Sequence, residues 1–469
     1  MTGEVTDEAA VDLVVAGAGG GLAGALRAAE AGLSVLVVDP DEQFLHGNNT
    51  SMSTAMIPGA GTRWQRAAGV EDGPERFLAD ITAKTHGAAD PVLAAALARL
   101  SAPLVEWLAD SQGLPLQLVR DFSYPGHSAD RQHTLEGRHG SALLRHLHER
   151  VRAQPSVDLL VPARLVDVTR DAAGEVDGAV IAYPGGHRET VATRGVLLAT
   201  NGYGANRDLV ARHLPEIATA HYHGGQFSTG DGLEIGLRHG ATSAFMDAYQ
   251  GHAALARRSR TLVGWATVMH GAVMVDEGGD RFGDETSGYS EYAAALAARP
   301  GAHGWIVLDR RIHDLCRSFT DFRQTVEEGA LTWAEDLDAL AAGIGCAPEA
   351  LKGSVAEQTA AASGAAGHDR FGRTFFEEPL RAPFAAVEVV PALFHTQGGL
   401  VVDGEARVLG RKGAPIGGLF ASGGAAHGIS GHGADGYLAG NGLLPALGLA
   451  WQAADTLSRT YAQGEGTAR

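Results

Sequence analysis

The first residues whose types and spacing suggest chemistry are glycines. Gly17, Gly19, Gly20 and Gly21 crowd into Gly17-Ala18-Gly19-Gly20-Gly21, and Asp39 closes the next apolar run. At a strand-to-helix turn, glycines let a pyrophosphate approach the backbone. Unpaired N–H groups and the positive end of a helix dipole then meet its charge. A carboxylate roughly 20 residues further on can accept from ribose hydroxyls. Gly17 and Gly19 fit the start of a dinucleotide loop, while the third glycine, Gly21, falls one residue early when counted from the helix. Taken alone, the loop favours a dinucleotide only somewhat over a tight turn with no ligand.

The elements that must position this loop can be read around it. Residues 11–16 read as a short buried strand, 22–31 as an alanine-rich helix ended by Gly32, and 33–38 as a second strand. Together they form a β-α-β unit with a glycine turn at its first crossover. Residues 80–151 read as helical, 159–168 and 175–182 as strands, and 196–200 as a buried strand opening into Asn201-Gly202-Tyr203-Gly204. From about 245 to 391 the chain becomes richer in aromatic and charged residues, and from Phe394 the glycine groups return. The class expected is α/β. A nucleotide-binding domain is split over 1–245 and 390–469, with a second domain inserted at 246–389.

Composition narrows the functions available. The 469 residues are 45% hydrophobic and 20% charged, which excludes intrinsic disorder. The net charge of −18 repels a nucleic acid partner. Cys316 and Cys346 show no metal-binding or redox spacing, so no metal is expected and both read as reduced thiols. The acidic start, residues 1–8, lacks the basic and apolar regions of a signal peptide. Residues 442–451 are too short and glycine-rich to span a bilayer. These readings predict a cytoplasmic protein without membrane insertion.

Further blocks sharpen the reading. In order they are Gly47-Asn48-Asn49-Thr50-Ser51 with Ala55-Met56-Ile57-Pro58-Gly59; Ala199-Thr200-Asn201-Gly202-Tyr203; Thr229-Gly230-Asp231-Gly232; and Arg281-Phe282-Gly283-Asp284-Glu285. Then follow His395-Thr396-Gln397-Gly398-Gly399-Leu400, Gly417-Gly418-Leu419-Phe420-Ala421-Ser422-Gly423, and Ala439-Gly440-Asn441-Gly442-Leu443. In sequence and approximate spacing this set resembles the flavoprotein family of fumarate reductases and 3-ketosteroid dehydrogenases. The resemblance covers most of the chain. It implies FAD in a split Rossmann-like domain, with substrate held under an inserted α+β capping domain. Beside the glycine loop and Asp39, it places Asn48, Asn49, Thr50, Ser51, Thr200, Asn201, Gly202, Asp231, His395, Gly423, Asn441, Leu443 and Leu444 around the cofactor. Small polar residues at 49–51 can hydrogen-bond phosphate and flavin, and Asp231 can accept from ribityl hydroxyls. The helix that starts after Asn441 can stabilise negative charge on reduced flavin. Where complex II relatives attach flavin to a histidine, this chain has Asn49, which implies non-covalent FAD.

The same resemblance separates two branches. Fumarate reductases grip two carboxylates with arginines and a histidine. At the corresponding places stand Tyr289, Tyr437 and Phe394. A dicarboxylate left unpaired there would cost several kcal/mol. The tyrosines resemble those of the ketosteroid dehydrogenases, nearer the 4-dehydrogenase branch. In that chemistry a base takes the proton α to a ketone, hydride leaves the β carbon for flavin N5, and a hydroxyl stabilises the enolate. Tyr289 is the candidate base and Tyr437 the candidate carbonyl donor, with the roles exchangeable. Phe394, Tyr124 and Ala439 are the candidate substrate contacts, and His127, His270, His427 and His432 are further polar candidates. The substrate implied is an apolar, cyclic ketone, a steroid or a smaller ring, with an unidentified electron acceptor. The alternatives are an ene-reductase of the fumarate or urocanate type acting on a non-dicarboxylate enoate, and a flavin-binding protein without catalysis. The ene-reductase would need a separate electron donor, because no haem-attachment Cys-x-x-Cys-His is present.

Overall fold

The strand Leu13–Ala16 is apolar and wholly buried, so it needs hydrogen-bonding neighbours on both edges and cover on both faces. In the computed structural model, which describes residues 10–467, it lies near the centre of a six-stranded sheet. Val196–Leu198 and Val35–Val38 flank it in parallel. Pro415–Ala421 and Val157–Leu160 extend the sheet in parallel beyond them, and Arg407–Leu409 closes one edge antiparallel. The acidic start at residues 1–8 lies outside the described residues. The helix Gly21–Glu30 follows the glycine turn and packs on the last helix, Leu443–Thr467. Two glycines permit this corner. Gly17 adopts φ +116°, and a Cβ on it would lie 2.2 Å from the Ala199 carbonyl oxygen. A Cβ on Gly24 would lie 2.8 Å from the carbonyl oxygen of Ala450 on the last helix.

Two expected elements differ. The strand expected at 159–168 is two strands in different sheets, divided at Val161-Pro162-Ala163, where the proline has no N–H for a ladder. Val157–Leu160 belongs to the main sheet. Arg164–Arg170 pairs antiparallel with Val176–Ala182 in a three-stranded sheet completed by Arg188–Ala192. The expected helical stretch 80–151 holds the helices Pro91–Asp110 and Gly140–Arg152. Between them lie short strands, Gln117–Leu118 and Gln132–Thr134, and loops punctuated by Gly113, Pro115, Pro125 and Gly126. Among the described residues Pro91–Asp110, not 442–451, is the helix long and apolar enough for a bilayer, and 56% of its most apolar window is buried inside the fold.

A second sheet is organised by one long strand, Phe384–Thr396. It pairs with Tyr249–Ala256, Gly304–Asp309 and Leu331–Ala334 antiparallel, and with His221–Tyr222 in parallel. The strand runs without a break through the 389/390 division expected from sequence. It thereby carries Phe394 and His395 from this sheet to the nucleotide loops, where Thr396 Oγ1 accepts from the Tyr203 N–H at 3.2 Å.

Beneath this sheet, the Arg-Phe-Gly-Asp-Glu block forms a buried ionic knot. Glu285 accepts from Arg281 Nε (2.9 Å) and Nη2 (2.6 Å), from Arg373 Nη1 (2.9 Å) and from the Met274 N–H (3.1 Å). Asp369 pairs with Arg281 at 2.6 Å. Burial alone would raise the Glu285 carboxyl, but the two guanidiniums outweigh it and hold the group below its ordinary range. Three residues later Gly288, at φ +140°, turns the chain into the helix Tyr289–Ala297, so the knot fixes where Tyr289 starts. Glu285→Ala should therefore cost about 3–5 kcal/mol of unfolding free energy, read by urea denaturation at pH 7. Because the folded-state pKa is depressed, this contribution is present above the ordinary carboxyl pKa. It is lost as pH falls through the lower folded value.

Candidate active site

One cavity of about 2040 Å³, measured out to its open mouth, runs between the two sheets. The catalytic, substrate-contact and cofactor residues expected from sequence all line it except Gly21, Ser51, Gly202 and Leu444. Those four stand one layer back. Gly21 packs on Val15 as the first residue of its helix, and Leu444 is fully buried. Ser51 closes a turn with Asn48, donating its N–H to Asn48 Oδ1 (2.9 Å) and its hydroxyl to the Asn48 carbonyl oxygen (2.8 Å). Gly202 backs onto the Thr396 hydroxyl.

At the glycine-loop end, Asp39 is fixed by the Ala18 N–H (2.7 Å) and the Asp41 N–H (2.9 Å). Burial nonetheless raises its carboxyl above the ordinary value. Asp231 is held differently from the sequence expectation. Both its oxygens accept from Arg164 (2.5 and 2.6 Å) and one also from Thr229 (2.7 Å), which leaves a ligand only the remaining lone pairs. Arg164 itself was not singled out by sequence. Asn49 is a strut between three segments. Its amide donates to the Phe394 carbonyl oxygen, and its oxygen accepts from Asn201 Nδ2 and the Gly225 N–H, all at 2.8 Å. Two polar atoms on cavity-lining residues, Ser422 Oγ and Asn441 Oδ1, are buried with no protein partner. Such groups cost about 1–3 kcal/mol each when left bare. Hydroxyls and a ring N–H, as FAD carries, would satisfy them, so the residues present fit that group.

The far end is aromatic. The His252 ring stacks between Tyr289 (centroids 4.7 Å, planes 18° apart) and Phe394 (5.2 Å, 25°). Tyr437 meets Tyr289 edge-on at 5.8 Å, with Tyr124 at 6.3 Å and Trp265 at 6.2 Å. The Tyr437 hydroxyl faces the Gly442 backbone, where a Cβ would lie 3.5 Å from it. Burial raises both phenols above 10. At Tyr289 the neighbouring Tyr437 adds to the rise, and at Tyr437 the Gly442 backbone works against it.

His252 Nδ1 accepts from the Ala254 N–H (3.0 Å), which leaves the ring proton on Nε2. Burial takes its pKa down to about 3 and that of His395 to about 4, so both imidazoles are neutral. Among the described lining residues the only guanidinium or ammonium is Arg164, at the opposite end and paired.

Of the histidines named from sequence, His395 lines the cavity. His127, His270, His427 and His432 do not line the cavity. His270 and His432 face Glu377 and Asp247, and His427 faces the Leu400 carbonyl. His127 touches the wall only through the carbonyl of Ala439, which it bonds at 3.0 Å. His252, His223, Trp265 and Phe319 were missed. The signal for His252 is its pairing with Ala392, two residues before Phe394.

A family model described as FAD binding domain matches residues 12–443. The chain belongs to this FAD-binding family. A Shewanella frigidimarina protein named as a probable fumarate reductase is 29% identical over 428 residues, covering 90% of this chain and 70% of that one. A flavocytochrome c3 fumarate reductase in its open conformation superposes with a TM-score of 0.78 at 28% identity, covering 96% of this chain and 78% of that one. A 3-ketosteroid-Δ4-(5α)-dehydrogenase from Rhodococcus jostii RHA1 superposes at 0.74 and 24% identity, covering 97% and 98%. The protein is an FAD-dependent oxidoreductase with the α/β fold shared by both groups, as the sequence motifs implied. Removing the strut by Asn49→Ala should release flavin. Loss of buried hydrogen bonds worth about 1–3 kcal/mol predicts roughly a tenfold or greater rise in Kd for FAD, measured by recovery of flavin fluorescence on dilution.

Proposed function

We propose that this flavoprotein introduces a carbon–carbon double bond next to a ketone in an apolar, cyclic substrate, with FAD held non-covalently. The observation that carries the reading is the pair of adjoining phenols, Tyr289 and Tyr437, ring centroids 5.8 Å apart, in an aromatic end whose described lining residues hold no free cation. A carboxylate placed there would lose its hydration without gaining a partner, while a ketone would lose little. Bound FAD would supply the hydride acceptor for the β carbon. Tyr437 donates its hydrogen to the ketone oxygen, where charge builds as the α C–H breaks. Tyr289, as its phenolate, takes the α proton and becomes the neutral phenol. His252 presents its Nε2 hydrogen from the same wall and remains neutral, so it can polarise but not neutralise an anion. Asn49 supplies an amide, not a nucleophile, which supports dissociable FAD.

The test is anaerobic mixing of the oxidised protein with saturated cyclic ketones. Bleaching of the flavin band is expected, and Tyr289→Phe should slow it by about 10²–10⁴ while flavin stays bound. Unchanged bleaching in that variant would remove Tyr289 from the reaction. Because both phenols sit above 10, the basic form is scarce at neutral pH. The bleaching rate should therefore rise with pH through the whole stable alkaline range, without a plateau below pH 10. Acid precipitation should release all of the flavin to the supernatant, and flavin left on the protein pellet would contradict non-covalent binding.

A further inference from the structure

The last turn of the helix Pro74–Lys84 touches the segments that carry Tyr124, Tyr289 and Tyr437, phenols that line the cavity. Lys84 Nζ donates to the Ser287 carbonyl oxygen (2.9 Å) and pairs with Glu291 Oε1. Those two residues bracket Tyr289, the first residue of its helix. The Lys84 stem runs along Gly126, two residues after Tyr124, where a Cβ would lie 3.3 Å from Lys84 Cδ. Thr85, the next residue, backs onto Gly436, which precedes Tyr437. A Cβ on Gly436 would lie 3.1 Å from Thr85 Cγ2.

The helix Pro74–Lys84 is itself well anchored. Phe77 is fully buried under the Arg131 guanidinium, 4.7 Å from its ring centre, and Asp80 pairs with Arg131 and accepts from the Ser128 N–H (2.9 Å). The helix that Tyr289 begins starts less firmly, because Gly288 has no side chain with which to cap it. Glu291 folds back over that glycine, where a Cβ would lie 3.0 Å from Glu291 Cδ. Glu291 Oε2 is buried with no partner, so Lys84 is what holds the carboxylate's charge. The two side chains are only 13% and 16% exposed, a setting in which removing one partner of an ion pair is costly. Burial raises the Glu291 carboxyl to about 7 against the pull of Lys84. Lys84 does not itself line the cavity.

We propose that Lys84 is a positioning residue for proton transfer. By tying Ser287 and Glu291 to the end of the helix Pro74–Lys84, it holds the Tyr289 hydroxyl in register with Tyr437 and the bound substrate. A displacement of about 1 Å at the proton-transferring group can cost on the order of 10²-fold in rate. Apolar contact between the rings and the substrate does not depend on that register. The role rests on the reading above, in which Tyr289 moves the α proton, but it can be separated from the direction of the reaction.

FAD-loaded Lys84→Met keeps the stem on Gly126 and loses the ammonium. Flavin bleaching is followed anaerobically at pH 8, where the Glu291 carboxylate is ionised, over a range of cyclic ketone concentrations. The limiting rate should fall roughly 10- to 100-fold, while the ketone concentration at half-maximal rate changes by less than about threefold. Lys84→Arg restores the charge and the donors, and should bring the limiting rate back to within about threefold of the unaltered protein. Glu291→Gln leaves no buried charge behind and keeps an acceptor for Lys84. It should also slow the reaction, by less than Lys84→Met, and serves if Lys84→Met does not fold. An unchanged limiting rate in these variants, or a loss that appears equally in ketone binding, would overturn the proposal. The photoreduced proteins are then mixed with a cyclic enone or an enoate, where Tyr289 returns the proton. Slower reoxidation in Lys84→Met, in a protein that no ketone bleaches, keeps the positioning role and removes the dehydrogenase reading. Equal bleaching of the unaltered and Lys84→Met proteins does the reverse.

Discussion

Desolvation of the aromatic end, with no cation to offset it, constrains everything the site can do. In a region that withholds water, a charged group survives only beside an opposite charge or a set of hydrogen-bond donors. At this end the ionisable groups are phenols and imidazoles, and burial drives each toward its neutral form: Tyr289 and Tyr437 upward, His252 and His395 downward. The pocket is neutral at rest, and its polar atoms are positioned to serve charge that appears transiently. A substrate carrying permanent charge at the reacting bond meets the full burial penalty. One whose charge develops only on a carbonyl oxygen can take a hydrogen bond from a neutral phenol of the same wall.

The scaffold maintains this environment with few parts. One strand, Phe384–Thr396, contributes the aromatic wall and then the loop beside the cofactor, so the two ends of the cavity cannot shift independently along it. The Glu285 knot with Arg281 and Arg373 sets the first turn that bears Tyr289. Asn49 connects the cofactor loops to the carbonyl of Phe394, the residue against which His252 stacks. Local order at the reacting groups thus depends on buried polar contacts several residues away, a common way to hold active-site geometry to a fraction of an ångström.

Legibility in the sequence followed the range of the interactions. The strand, glycine turn, helix and second strand through Val38 were readable because hydrophobic period and glycine position act within about thirty residues. Tyr289, Tyr437 and Phe394 were placed only through resemblance to a family, since nothing local marks a tyrosine as facing a cavity. Gly21, Ser51, Gly202 and Leu444 fell one layer behind the wall, because motif position does not specify which neighbour turns inward. His252 and Arg164 were invisible for a different reason. Their place depends on strand register with Ala392 and on an ion pair to Asp231, contacts spanning 140 and 67 residues respectively. The break at Pro162 was readable in principle, as a proline inside an apolar run argues against a continuous central strand.

The most direct measurement runs the chemistry backwards. The protein is photoreduced without oxygen and then mixed with a cyclic enone or with fumarate, while the return of the oxidised flavin band is followed. The account predicts rapid reoxidation by the enone and, with fumarate, a rate no greater than in buffer alone. Rapid reoxidation by fumarate with the enone inert would show that the phenol-lined end accepts a dicarboxylate, and the account would be wrong.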